Sequence, residues 1–71
     1  RKTACDWERW KKATGTLFKE LSEEARRRGY RLDWERWREL RRKGLEELAE
    51  ALRDRCDNPE EVARRIAERL L

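Results

Sequence analysis

Apolar residues recur along this chain every three or four positions, with polar residues filling the intervals. Five stripes stand out: Trp7, Trp10 and Ala13; Leu17, Phe18, Leu21 and Ala25; Trp34, Trp37 and Leu40; Leu45, Leu48, Ala49 and Leu52; Val62, Ala63, Ile66, Ala67 and Leu70. Each fits one face of an amphipathic helix, and no segment alternates with the period of two that a strand needs. Basic clusters followed by glycine punctuate the stripes, at Lys11-Lys12-Ala13-Thr14-Gly15, Arg26-Arg27-Arg28-Gly29 and Arg41-Arg42-Lys43-Gly44. Cations suit the partial negative charge of a helix C-terminus, and glycine suits the left-handed position beyond it.

This punctuation predicts an all-α, compact bundle of four to five short helices, broken near Gly15, Gly29 and Asp57, with a further break at Gly44. Thr3 or Asp6 caps the first helix, Thr16 the second and Asp33 the third. Leu32, just before Asp33, is placed to staple onto Trp37. Asn58-Pro59-Glu60-Glu61 combines a cap, a proline at the first helical position and a glutamate able to reach back to the cap. A three-helix bundle with two long helices and one short satisfies the same periodicity. The stripe Trp7, Trp10, Thr14, Leu17, Leu21, Ala25 stays in phase through Gly15, and the stripe Trp34, Trp37, Arg41, Leu45, Leu48, Leu52 stays in phase through Gly44. Arg41 favours the broken form, because a continuous helix would centre that charge on its apolar stripe.

The predicted core is Trp7, Trp10, Leu17, Leu21, Trp34, Trp37, Leu48, Leu52, Val62 and Ile66. Both tryptophan pairs sit at i, i+3 on the leucine side of a helix start, and indole area dominates the burial open to a small domain. An aromatic cage or binding hot spot is the competing reading of the tryptophans. The segment Asp6-Trp7-Glu8-Arg9-Trp10 recurs as Asp33-Trp34-Glu35-Arg36-Trp37, 27 residues later.

Composition narrows the picture. Seventy-one residues form a single domain, residues 1–71, near the lower size limit for one self-supporting core. Charged residues make up 51% of the chain and mean hydropathy is −1.32, figures that alone lean towards disorder. Twenty basic residues against 16 acidic ones leave a net charge of only +4, and the helical periodicity supports a folded domain. Both signs are interspersed, as on a solvated surface. No run approaches transmembrane length and no signal peptide is visible, so no membrane is expected. The first residue is Arg1 rather than Met, which reads as a processed or tag-cleaved product, and a soluble recombinant monomer is expected.

Candidate chemistry is sparse. Cys5 and Cys56 are the only cysteines, and the chain has no His. That leaves too few soft ligands for zinc and no Cys-x-x-Cys spacing, so neither a metal nor a cofactor is expected. Cys5 opens the first helix and Cys56 closes the helix before Asn58; in an antiparallel hairpin those ends meet, which predicts a disulfide. Closing a loop of about fifty residues stabilises by about 4 kcal/mol in the chain-entropy model. The carboxylates fall into acid-first i, i+4 pairs: Glu8–Lys12, Glu23–Arg27, Glu24–Arg28, Glu39–Lys43, Glu60–Arg64 and Glu61–Arg65. Such pairs support a helix by a few tenths of a kcal/mol when exposed. No catalytic pair, phosphate loop or activated nucleophile is present, and the chain is not expected to be an enzyme.

Leu45 to Leu52 followed by Val62 and Ile66 resembles a helix-turn-helix unit over about 22 residues. The connection through Arg53 to Asn58 departs from that pattern in length and lacks the turn glycine. Asp57, Glu60 and Glu61 stand where a recognition helix approaches phosphates, so nucleic acid is not the expected partner. As a whole, the chain resembles a de novo designed helical mini-protein. The Asn58-Pro59-Glu60-Glu61 start, the Gly15, Gly29 and Gly44 stops, the acid-first pairs and the lack of His, Met and Gln carry that resemblance. It implies a scaffold made to adopt a specified fold, with no natural activity and no required partner. The alternative is a designed binder presenting a helix face to a protein. The two differ in whether apolar surface around Phe18, Tyr30, Leu32 and the tryptophans stays exposed.

Overall fold

The computed structural model describes residues 3–71 and, among them, three helices and no strand: α1 Trp7–Arg27, α2 Trp34–Ala51 and α3 Pro59–Leu70. The three-helix form is the one adopted, and the four-to-five-helix form is corrected. Helices α1 and α2 run unbroken through Gly15 and Gly44. Thr16, expected as a cap, is interior to α1, and Thr14 turns its hydroxyl back to the Lys11 carbonyl at 2.9 Å.

The two internal glycines are tolerated for different reasons. A β-carbon at Gly15 would meet nothing within 4 Å, so this exposed glycine carries only the propensity cost of about 1 kcal/mol. Gly44 is buried, and a β-carbon there would lie 2.9 Å from Leu17 Cδ2 and 3.4 Å from its Cγ. Gly44 is therefore the notch through which α2 approaches α1. Gly15→Ala is expected to raise stability by about 0.4–1 kcal/mol. Gly44→Ala is expected to lower it, because the added carbon displaces a Leu17 methyl inside the core and overpacking costs about 1–3 kcal/mol. Denaturant midpoints moving in opposite directions would bear this out; a rise in both would remove the notch.

Real stops lie elsewhere. Gly29 takes the left-handed backbone (φ 75°) just past α1. Its N–H donates to the Arg26 carbonyl at 3.1 Å, and the Tyr30 N–H donates to the Ala25 carbonyl at 2.9 Å. That crossed pair satisfies carbonyls the helix end would leave open. Asp6 and Asp33 cap α1 and α2, accepting from the N–H groups of Arg9 and Arg36 at 2.9 and 2.8 Å; Thr3 does not cap. The start of α3 differs from its expected form. Pro59 occupies the first helical position, but Asn58 makes no side-chain cap bond and instead adopts a left-handed backbone, φ 49°. Only its carbonyl serves the helix, accepting from Val62 N–H at 3.0 Å. Glu61 pairs with Arg64 and Arg65.

At 21 residues, α1 is about 31 Å long and spans the long dimension of the 34 × 20 × 18 Å molecule. Cys5, before α1, is bonded to Cys56, after α2, with Cα atoms 4.9 Å apart. Beside the bridge the Ala4 N–H donates to the Leu52 carbonyl at 2.9 Å, so α2 returns antiparallel to α1. Helices α1 and α3 both start near the disulfide. At their far ends Arg28 Nη2 donates to the Glu68 carbonyl at 3.3 Å, so the pair runs parallel.

Cys5, Ala13, Leu17, Leu21, Leu48, Leu52, Ala63, Ile66 and Ala67 form the buried core, with Trp10, Trp37, Leu45, Val62 and others half-buried against it. Five expected core residues are fully inside: Leu17, Leu21, Leu48, Leu52 and Ile66. Val62, Trp10 and Trp37 sit at its margin. Trp7 and Trp34 are corrections: each is 67% exposed. Each is the first residue of its helix. Ala25 and Leu52, eighteen residues on and in the same phase, are buried, so the place of the two indoles at the helix starts, and not their phase, leaves them outside.

Candidate functional site

Phe18, Ser22, Trp34, Trp37 and Arg41 line an open groove of about 290 Å³ between α1 and α2. Phe18 and Ser22 stand one turn apart on α1, on the flank next to the buried line of Leu17 and Leu21. Trp34, Trp37 and Arg41 share the facing flank of α2 at i, i+3 and i+7. The Asp33 cap fixes the backbone of the first turn that carries both indoles. Leu32 and Trp37 are both half-buried and line different depressions.

Arg41 is the residue that had argued for a break at Gly44. It remains exposed on a continuous helix, with its guanidinium over the Phe18 ring, 4.4 Å from the centroid. A long cationic side chain can lie along apolar surface while its head stays in water, and the ring face attracts the cation. The charge on the apolar stripe is thus accommodated without unwinding the helix. Among the described residues Arg41 forms no ion pair, so its N–H donors remain open to a ligand.

Two other depressions offer less. One, lined by Tyr30, Arg31, Leu32, Arg36 and Leu71, contains an arginine already engaged with Glu39 at 2.7 Å. The other, lined by Glu35, Arg38, Glu39 and Arg42, is a charged helix surface with no apolar floor.

Glu24 is the acidic residue whose surroundings differ most from expectation. Its place in the Glu24–Arg28 pair was legible, but the residue is buried, not a loose surface charge. The carboxylate accepts from Arg27 and, at 2.8 Å, from Arg28 Nε. The Arg27 hydrogen bond holds its pKa below the usual carboxylate value, against the opposing effect of burial and with help from Arg28. Because Arg28 also reaches the Glu68 carbonyl, this group fastens the end of α1 to α3. Its geometry is structural. Arg27 pairs with Glu24 and Arg64 with Glu61, at i, i+3 in place of the i, i+4 partners Glu23 and Glu60.

Both cysteines are consumed by the disulfide. Among the described residues no three His, Cys, Asp or Glu side chains lie together as metal ligands. No helix among them is long and apolar enough to cross a membrane. The arrangement offers recognition chemistry: two indoles, a phenyl ring and a cation on one accessible flank. Sequence reasoning had named Trp34 and Trp37 but placed both inside. Trp34 stands at the first position of α2 and Trp37 one turn further in, which is what separates the exposed indole from the half-buried one. Comparison with protein families, curated proteins and solved structures finds no match.

Proposed function

We propose that this chain is a designed helical mini-protein that docks onto a protein partner through the flank shared by α1 and α2. One observation carries the reading: Trp34, two-thirds exposed, stands beside Trp37, Phe18 and Arg41 on an open apolar groove. A contiguous exposed apolar patch rimmed by polar residues marks an interaction site, and Trp and Arg dominate the energetics of protein interfaces. The scaffold reading, in which the fold is the whole purpose, has no use for Trp7 and Trp34 as they stand. Designed origin is supported by the Asp6 and Asp33 caps, the glycine notch at Gly44 and the acid-first, base-last charges of α1 and α3. The docking mode is a pair of helix flanks presented to a groove or ridge on the partner.

Panning a displayed library of random 12-residue peptides against the folded protein tests the reading. Enriched peptides are expected to lose binding to Trp34→Ala. Failure to enrich any peptide, or binding indifferent to Trp34→Ala and Trp7→Ala alike, would refute the docking face.

A further inference from the structure

The charges of α1 and α2 are not spread evenly around the two helices. Helix α1 holds Glu8, Glu20, Glu23 and Glu24, and α2 holds Glu35, Glu39, Glu46, Glu47 and Glu50. At 100° per residue, none of these nine falls on the flank that carries the groove. On α1 that flank reads Trp7, Lys11, Thr14, Phe18, Ser22; on α2 it reads Trp34, Trp37, Arg38, Arg41, Leu45. Trp7 and Phe18 are eleven residues apart, within about 20° of each other round the helix, so the flank runs along most of α1. Off this flank some arginines are matched with acids, Arg36 with Glu39, Arg42 with Glu46, Arg64 with Glu61 and Arg69 with Glu47, while Arg9, Arg26, Arg31 and Arg55 form no ion pair among the described residues. On this flank Lys11, Arg38 and Arg41 form no ion pair among the described residues.

From this segregation we infer that the partner segment is acidic: it seats an apolar side chain between Trp34, Trp37 and Phe18 and sets a carboxylate on Arg41. The inference rests on the docking reading and adds the chemistry of the partner. The groove, about 290 Å³, lies at the small end of ligand pockets, and one large side chain suits it. Arg41 is already oriented by the Phe18 ring, 4.4 Å away, so its planar fork faces a carboxylate with little ordering left to do. Lys11 and Arg38 extend the positive field along the flank. A surface without acids also penalises a basic partner, which is how charge selects among partners. A nucleic-acid strand could use the same rings and cations, but a groove sized for one side chain and the nine carboxylates on the rest of α1 and α2 favour a peptide.

The peptides selected above decide the matter by their composition and by two charge reversals. Enriched sequences are expected to carry Asp or Glu beside Leu, Phe or Trp. Arg41→Glu is expected to weaken them at least tenfold at low salt, with the parent's own affinity falling as salt rises. Lys11→Glu, exposed and away from the Phe18 stack, is expected to weaken them severalfold and serves as the second probe if Arg41→Glu disturbs the helix pair. Peptides that need Trp34 yet are neutral or basic, or that ignore both reversals, would overturn the acidic partner and leave the docking face standing. Fluorescein-labelled dT15 competing with the peptides at equal or better affinity would overturn it in favour of nucleic acid. Binding indifferent to Trp34→Ala and Trp7→Ala alike would remove the docking face and this inference together.

Discussion

Leu17→Ala is expected to lower the unfolding free energy by about 3–5 kcal/mol. Leu17 is fully buried in the core, and its side chain fills the space opposite Gly44. Truncation removes its transfer energy and leaves a cavity at the point where α1 and α2 approach each other. Trp10 and Trp37, half-buried at the margin of the core, are expected to cost less, although their side chains are larger. The same geometry predicts a coupling. With alanine at position 17, a β-carbon at position 44 has room, so Gly44→Ala should change from harmful to neutral or helpful in the Leu17→Ala background. Denaturant melts of the two single variants and the double variant measure this directly. Additive losses would mean that the two sites do not meet.

Removing the disulfide is expected to cost about 2–4 kcal/mol, with the helices retained. Cys5–Cys56 spans 51 residues of a 71-residue chain, so it restricts most of the unfolded ensemble. It also anchors the segment before α1, where Ala4 meets Leu52 and Thr3 accepts from the Cys5 N–H at 3.3 Å. The Asp6 and Asp33 caps and the Leu17, Leu21 and Leu48 packing do not pass through the bridge. A Cys5→Ala/Cys56→Ala variant should therefore melt earlier while keeping its helical circular dichroism at 25 °C. Native oxidised protein should take up no alkylating label without reductant. An unchanged midpoint, or loss of helix at 25 °C, would contradict the division of labour between bridge and core.

Several elements were legible in the sequence because their causes are local. The Asp caps, the proline opening α3 and the Gly29 stop each depend on a few adjacent residues. The disulfide was legible one step further out, since hairpin topology alone brings Cys5 and Cys56 together. Gly15 and Gly44 misled because a glycine after a basic cluster has two explanations. Gly29 has a left-handed φ and ends its helix; Gly44 is kept for closeness to Leu17, a residue 27 positions away. Arg41 misled for a related reason: its fit on the stripe depends on Phe18 of the other helix. The tryptophans could be placed on the correct side of their helices but not in or out of the core. Burial at a helix start depends on what the other helices cover there, since Ala25 and Leu52 share the phase of Trp7 and Trp34 and are buried. The docking flank inherits the same obscurity, because it is shared by two helices and no short motif spells it.

The unfolding midpoint of Trp34→Ala in denaturant tests most directly the claim that this tryptophan is held for recognition and not for folding. The expected midpoint is close to the parent's, within about 0.5 kcal/mol as for other exposed sites. A loss comparable to that of Leu17→Ala would return Trp34 to the core and remove the proposed docking face.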